Sequence, residues 1–130
     1  MSAPTNPELV EAWRTLLARQ AATACALDRE LNERHGLGMS EFEVLERLVE
    51  GTAGDCAASL RVQELAHSVH LSQSALSRLI ARLEKAGLVE RSMCPEDRRG
   101  VSVCLTPAGR DRHTDAVPTH RSVLAEMLTG

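Results

Sequence analysis

Between Ser72 and Gly87, in the stretch SQSALSRLIARLEKAG, short hydroxyls and cations recur at helical spacing. Ser74, Arg78, Ala81 and Lys85 fall on one face of a 3.6-residue helix, with Ser77 and Arg82 on its flanks. Small residues near the start of such a helix admit close approach to base edges. Guanidinium and ammonium groups further along reach phosphates or the acceptor edge of guanine. The chemistry is recognition by hydrogen bond and charge, with no bond made or broken. An ordinary solvated helix face has the same composition, so the choice depends on what surrounds it.

A second concentration of charge lies nearby, in Cys94-Pro95-Glu96-Asp97-Arg98-Arg99-Gly100. Leu88, Val89, Arg91 and Met93 lead into this polar loop, and Val101, Val103 and Leu105 then alternate with Ser102 and Cys104. The period of two predicts a β-hairpin with two adjacent arginines at its tip. A tip arginine can enter a minor groove, where narrow A·T-rich sequence concentrates negative potential.

The elements that must position these residues are legible on either side. Opposite the cationic face, Leu76, Leu79, Ile80 and Leu83 form an apolar stripe that must pack on something, and Ser72 is placed to cap the helix. Arg61 to Val69 predicts a short helix with Val62, Leu65, Ala66 and Val69 inward, and His70-Leu71 the turn. A short helix, a tight turn and a second amphipathic helix make a helix-turn-helix, and the following hairpin makes it winged.

Upstream, a helix is expected over residues 7–34, with Leu9, Trp13, Leu16, Leu17, Ala21, Ala24, Leu27 and Leu31 as its apolar stripe and Gly36 and Gly38 as its stop. At about 40 Å it exceeds what the core of a small domain needs. Part of the stripe is therefore expected to pack on a second chain, with Trp13 read as a core residue. Ser40-Glu41-Phe42-Glu43 reads as a capping box in which Glu43 reaches back to Ser40. The helix it opens, from near 41, is expected to bury Phe42, Leu45, Leu48 and Val49 and to end at Gly51. Residues 51–59 have loop composition. Thr106-Pro107 opens a last helix, expected to be interrupted at Pro118.

Composition agrees with this class. The 130 residues suffice for one domain, and a 43% hydrophobic fraction with one Phe, one Trp and no Tyr leaves the packing to aliphatic side chains on helices. No apolar run approaches the roughly 18 residues of a membrane span, and the first residues, MSAPTNPE, are polar, so a cytosolic protein with no membrane partner is expected. The net charge of −3 divides unevenly. Residues 1–60 hold 5 Arg against 10 acids, residues 61–112 hold 8 Arg and 1 Lys against 6 acids, and residues 113–130 hold 1 Arg against 2 acids. The middle segment is thus +3, enough to displace counterions from DNA where the two meet.

Four cysteines without a CxxC pair read as reduced thiols. Cys25 is expected to be a small buried apolar residue rather than a sensor thiol, Cys56 lies in a loop, and Cys94 and Cys104 fall on opposite strands, where a bridge is conceivable. Of His67, His70, His113 and His120, no two stand four apart on a helix, and Pro118 separates the last two, so no metal or other cofactor is expected. Neither a nucleophile with a positioned base nor a phosphate-cradling glycine loop is visible, so the chain is not read as an enzyme.

The motifs together identify a family. Leu65-Ala66, the run Leu71 to Arg78, the run Leu83 to Arg91, Asp97-Arg98-Arg99 and Leu105-Thr106-Pro107-Ala108-Gly109 closely resemble the MarR family of winged-helix transcriptional regulators. The resemblance implies a mainly α fold with a small hairpin wing, in one domain over residues 1–130. Residues 40–105 would form the winged helix-turn-helix lobe, and 7–34 and 107–130 the dimerisation helices. It implies a homodimer that binds double-stranded DNA at a palindromic operator. The implied role is a repressor, less often an activator, of adjacent genes, released by a small phenolic or lipophilic ligand or by thiol oxidation.

Carried over residue by residue, Ser72, Gln73, Ser74, Ser77, Arg78 and Arg82 look like the family's major-groove and phosphate contacts. Arg99 corresponds to the minor-groove arginine, Asp97 to the carboxylate that orients it, and Arg98 to a phosphate contact. The family's pocket between dimer helices and DNA-binding lobe makes Trp13, Arg14 and His35 ligand candidates. Two departures stand out: the family usually continues with a further dimer-interface helix, so the chain reads as short or trimmed at Gly130, and the first helix lacks the phenol-bearing residues that accompany the sensing cysteine of peroxide-responsive members. A redox-sensing regulator of the same fold is the alternative. A winged helix used only for protein interaction would not need cations at both groove-reading positions.

Overall fold

Asn6 starts the first helix by accepting the Glu8 amide at 2.9 Å, with Pro7 in the first turn, where its missing N–H costs no hydrogen bond. This helix, α1, runs Pro7–His35. It ends at Gly36, whose φ of 65° lets its own amide and that of Leu37 turn back to Asn32 and Leu31 at 3.1 and 3.3 Å. The computed structural model describes residues 6–50, 59–61, 65–66, 69–92 and 102–129.

Helix α2 spans Met39–Glu50, starting two residues before the expected position. Glu41, not Glu43, reaches back, accepting the Gly38 amide at 2.7 Å, while Asp28 of α1 accepts the Met39 amide at 2.9 Å. Ser40 is thereby drawn into the first turn and caps nothing. The helix lies between α1 and the C-terminal helix on one side and the helix and sheet that follow it on the other, which is why Val44 and Glu46 are buried with Phe42, Leu45 and Leu48. Val49 is only half-buried.

Leu65, Ala66 and Val69, from the predicted short helix, are helical, and the first two are buried. His70 makes the turn at φ 58°, and the Leu71 amide closes it on the Ala66 carbonyl at 3.2 Å. Helix α3, Gln73–Lys85, follows, capped by Ser72, whose hydroxyl oxygen accepts the Ala75 amide at 3.2 Å. Its buried residues are Leu76, Leu79, Ile80 and Leu83, the stripe expected from sequence. Gly87, at φ 78°, reverses the chain so that the Leu88 amide returns to the Leu83 carbonyl at 2.9 Å.

Three antiparallel strands form one sheet in the order β1-β3-β2: β1 Ser59–Arg61, β2 Val89–Ser92 and β3 Ser102–Leu105. The hairpin register pairs Val89 with Leu105 and Arg91 with Val103. Strand β1, pairing Leu60 with Val103, corrects the reading of Ser59 as loop and of Arg61 as helical, while residues 51–58 lie outside the described residues. Three residues are too few to carry a period, and this strand exists because β3 offers it an open edge.

Helix α4 runs Pro107–Leu128, straight through Pro118. The interruption expected there does not occur. Thr114 and Pro118 both face solvent, so the carbonyl that the missing amide leaves free has water to bond. Packing of His113, Ala116, His120 and Val123 on α1 and α2 holds both halves in line. Among the described residues no helix is long and apolar enough to cross a membrane.

The α1 stripe divides in two. Leu27 and Leu31 are buried, but Leu9, Trp13, Leu16, Leu17 and Ala21 are exposed, Trp13 to 59% and Leu16 to 63%. Trp13 is not a core residue of this chain. Among the described residues no element covers its end of α1.

Candidate nucleic-acid interface

Burying four aliphatic residues of α3 turns its other face outward. Ser72, Gln73, Ser74, Ser77, Arg78 and Arg82 are all exposed. Arg78 and Arg82 stand one turn apart, and no carboxylate among the described residues pairs with either. Two uncommitted guanidinium groups thus follow a helix start whose first turn displays hydroxyl and amide side chains beside unpaired backbone N–H groups. Such a surface offers donors to phosphate and to base edges.

The sheet is latched to this helix by Arg91, to which the sequence assigned a place in the hairpin but no contact. Arg91 on β2 lies with Nε 3.4 Å from Glu84 Oε1, and its NH2 donates to the Ser77 carbonyl at 3.3 Å. The arginine fixes the hairpin against α3 and absorbs the acid nearest the end of the cationic face. Asp97, Arg98 and Arg99 lie outside the described residues, as do Cys56, Cys94 and His67.

The other end of the lobe is tied to α4. Thr106 caps α4 by accepting the Gly109 amide at 3.0 Å, donates its hydroxyl to the Gly87 carbonyl at 2.7 Å, and gives its amide to the Leu88 carbonyl at 3.1 Å. Gly109 is buried where a Cβ would fall on the Leu88 carbonyl oxygen and meet Leu105 Cδ1 at 2.9 Å. The Leu105-Thr106-Pro107-Ala108-Gly109 motif is therefore the joint between the recognition helix, the hairpin and α4.

The remaining candidates are scattered. Trp13 and Arg14 are exposed on α1, and His35 sits at its far end, bonded through Nε2 to Thr119 Oγ1 at 2.7 Å. Some 22 residues of helix, about 33 Å, separate Trp13 from His35, so one chain does not bring these three into a common pocket. Cys25 is exposed on α1, against its expected burial. Cys104 faces Glu90 across the hairpin and directs its Sγ to the Leu105 carbonyl at 3.7 Å.

A buried polar cluster between α2 and α4 joins His113 and His120, set aside in the sequence as metal ligands, to Glu46 and Arg121, which the sequence did not single out. Glu46 is 8% exposed. Its oxygens accept two guanidinium N–H groups of Arg121, at 2.7 and 3.1 Å, and His113 Nε2 at 3.1 Å. His113 and His120 stack on Phe42 with centroids 5.1 and 4.3 Å away. Burial pushes the Glu46 carboxyl up, but the bonds from Arg121 and His113 outweigh it and hold the group below the usual carboxylate range. Burial, then the Arg121 charge, pushes His120 down, keeping it neutral with Nδ1 accepting from Arg121 at 2.7 Å. Glu43 is raised, by burial and by the Glu46 charge. A cavity of about 410 Å³ opens beside the cluster, lined by Glu43, Glu46, His70 and His120 together with apolar residues such as Leu27 and Leu124.

Comparison with known proteins fits this geometry. The MarR family model matches residues 37–101, half of the chain. AbsC, a MarR family transcriptional regulator from Streptomyces coelicolor, superposes with a TM-score of 0.80 at 31% identity, covering 98% of this chain and 82% of that one. The chain belongs to the MarR family. A further MarR family regulator from S. coelicolor, solved in complex with DNA, superposes with a TM-score of 0.86 at 29% identity over 99% of this chain and 78% of its own. The HTH-type transcriptional regulator MhqR of Bacillus subtilis is 29% identical over 96 residues, 74% of this chain but 62% of its own length. This MarR-family chain thus spans under two thirds of that relative.

Proposed function

We propose that this protein is a sequence-specific DNA-binding transcriptional regulator, a homodimeric repressor of adjacent genes that a small phenolic or lipophilic ligand releases from a palindromic operator. The observation that carries the reading is the outer face of α3, where Arg78 and Arg82 stand exposed and without acid partners behind a capped, hydroxyl-bearing helix start. A likeness to a regulator solved on DNA supports it. Ser72, Gln73, Ser74 and Ser77 would lie against base edges and phosphate, and Arg98 and Arg99 would follow the backbone and minor groove, with Asp97 orienting Arg99.

The open half of α1 supports the dimer. Leu9, Trp13, Leu16 and Leu17 form a contiguous apolar strip that water does not favour, and a second copy would cover it. Two lobes related by a twofold axis would then read half-sites about one helical turn apart. A mobility-shift and footprinting experiment on the DNA upstream of the gene tests this. Protection of two half-sites on one face supports the reading, whereas full affinity from a monomer on a single half-site overturns it.

The exposure of Cys25 favours one second reading, release by thiol oxidation. Diamide that abolishes the shift in the native protein but not in Cys25→Ser would replace ligand release with redox release.

A further inference from the structure

The cluster between α2 and α4 contributes nothing to the DNA-reading surface, yet it gathers charged and imidazole groups in a mostly apolar interior. Glu43 and Glu46, three residues apart on α2, and His120 on α4 each bring a ligand atom within 4.8 Å of the other two. Ligand atoms at about 2.0 to 2.1 Å from a tetrahedral zinc lie some 3.4 Å from one another, so side-chain rotations alone would close this set. We propose that Glu43, Glu46 and His120 form a Zn²⁺ site joining α2 to α4, which the Arg121 guanidinium fills as a built-in cation when no metal is bound.

Three features support it. Arg121 places its guanidinium between the Glu46 carboxylate and the His120 Nδ1 lone pair, where a cation belongs, and its side chain is 50% exposed, so it can leave for water with little loss of packing. His120 presents a lone pair rather than a proton toward the cluster, as ligation requires. His113 stays bonded to Glu46 Oε1 and would hold the carboxylate in orientation, the support that metal-binding carboxylates ordinarily have. The adjoining cavity supplies an entry path and room for water as the fourth ligand. Two carboxylates with one imidazole suit zinc better than magnesium or calcium, which take oxygen alone.

Because α2 packs on α3 and α4 does not read DNA, an ion spanning them would bias the lobe's position and so the operator affinity. This consequence rests on the proposed regulator, but the site itself does not.

The test is a Zn²⁺ titration of chelator-stripped protein against a chromophoric competitor, repeated with Co²⁺ to read the geometry from its visible absorption. One ion per chain is expected, with the intense bands of a four-coordinate site. Glu43→Gln, at a half-exposed position that tolerates the change, should weaken binding about tenfold or more. Arg121→Met should strengthen it, since the competing cation is gone. Absence of binding, or equal affinity in the native protein and both variants, overturns the site. Operator shifts with and without Zn²⁺ then separate the two ideas. Stoichiometric binding that leaves DNA affinity unchanged retains the site and removes its regulatory role, while a protein that binds zinc but no DNA retains the site and removes the proposed regulator.

Discussion

The Thr106 hydroxyl donates to the Gly87 carbonyl at 2.7 Å, bonding the start of α4 to the turn that ends the recognition helix. The same oxygen accepts the Gly109 amide, and Gly109 itself has no room for a Cβ against Leu88 and Leu105. Gly109→Ala should force the helix start away from the Leu88 carbonyl and destabilise the fold by about 1–3 kcal/mol, the usual cost of overpacking. Thr106→Ala, which loses a cap and a tether without a clash, should cost about 1 kcal/mol. Urea denaturation followed by circular dichroism measures both. A Gly109→Ala protein as stable as the native one would show that the joint is looser than the structure describes.

Glu46 and Arg121 should respond unequally to removal. Arg121→Ala leaves a buried carboxylate with His113 as its remaining hydrogen-bond donor, whereas Glu46→Leu frees a half-exposed arginine to return to water. Measured without metal, the first should cost about 1–3 kcal/mol, below the full penalty for a broken buried pair because Arg121 is partly solvated already, and the second less. The reverse order in thermal or chemical melts would mean that the carboxylate is solvated in Arg121→Ala and that the cluster is not a buried charge centre.

How far sequence led can be judged from particular residues. The recognition helix was fully legible, because Leu76, Leu79, Ile80 and Leu83 alternate with exposed polar residues at one clean period and Ser72 is a strong cap. The hairpin was equally plain. Strand β1 was not, since three residues carry no periodicity and their conformation is set by β3. The cap of α2 was displaced because its partner Asp28 comes from another helix, eleven residues away. The Glu46 cluster was hidden by the expected break at Pro118; once α4 is continuous, His113 and His120 stand two turns apart on one buried face. The available signal was that seven-residue spacing. Trp13 and Cys25 were misread in the opposite sense, because periodicity says that a face is apolar but not which chain covers it.

That uncovered face makes its own prediction. Trp13→Lys with Leu16→Glu places two charges at positions already 59% and 63% exposed, so the isolated fold has little packing to lose there. Analytical ultracentrifugation should show a dimer for the native protein and a monomer for the double variant, with circular dichroism unchanged. Operator affinity should fall with the dimer, because binding at the second half-site would no longer be intramolecular. A double variant that stays dimeric would place the interface elsewhere, and one that unfolds would make this end of α1 part of the fold's own stability.

The two arginines proposed to read DNA should fail differently. Arg78, exposed on α3 without an acid partner among the described residues, would on this proposal contact a base or a phosphate beside one. If it reads guanine, Arg78→Ala should cost on the order of 1–3 kcal/mol per half-site and relax preference at that one position. Arg99→Ala should cost a similar amount, but chiefly on operators whose flank under the hairpin tip is A·T-rich, since there the minor groove is narrow and its potential most negative. Asp97→Ala discriminates between orientation and simple charge. If Asp97 holds the Arg99 guanidinium in place, its loss should reproduce part of the Arg99 defect. If electrostatics alone governs the tip, removing a negative charge near phosphate should tighten binding and steepen its salt dependence. Operator affinity of the three variants at several salt concentrations, on A·T-rich and G·C-rich flanks, separates these cases. Tighter binding by Asp97→Ala together with no flank dependence for Arg99→Ala would remove the wing from the DNA-reading surface and leave α3 as its sole reader.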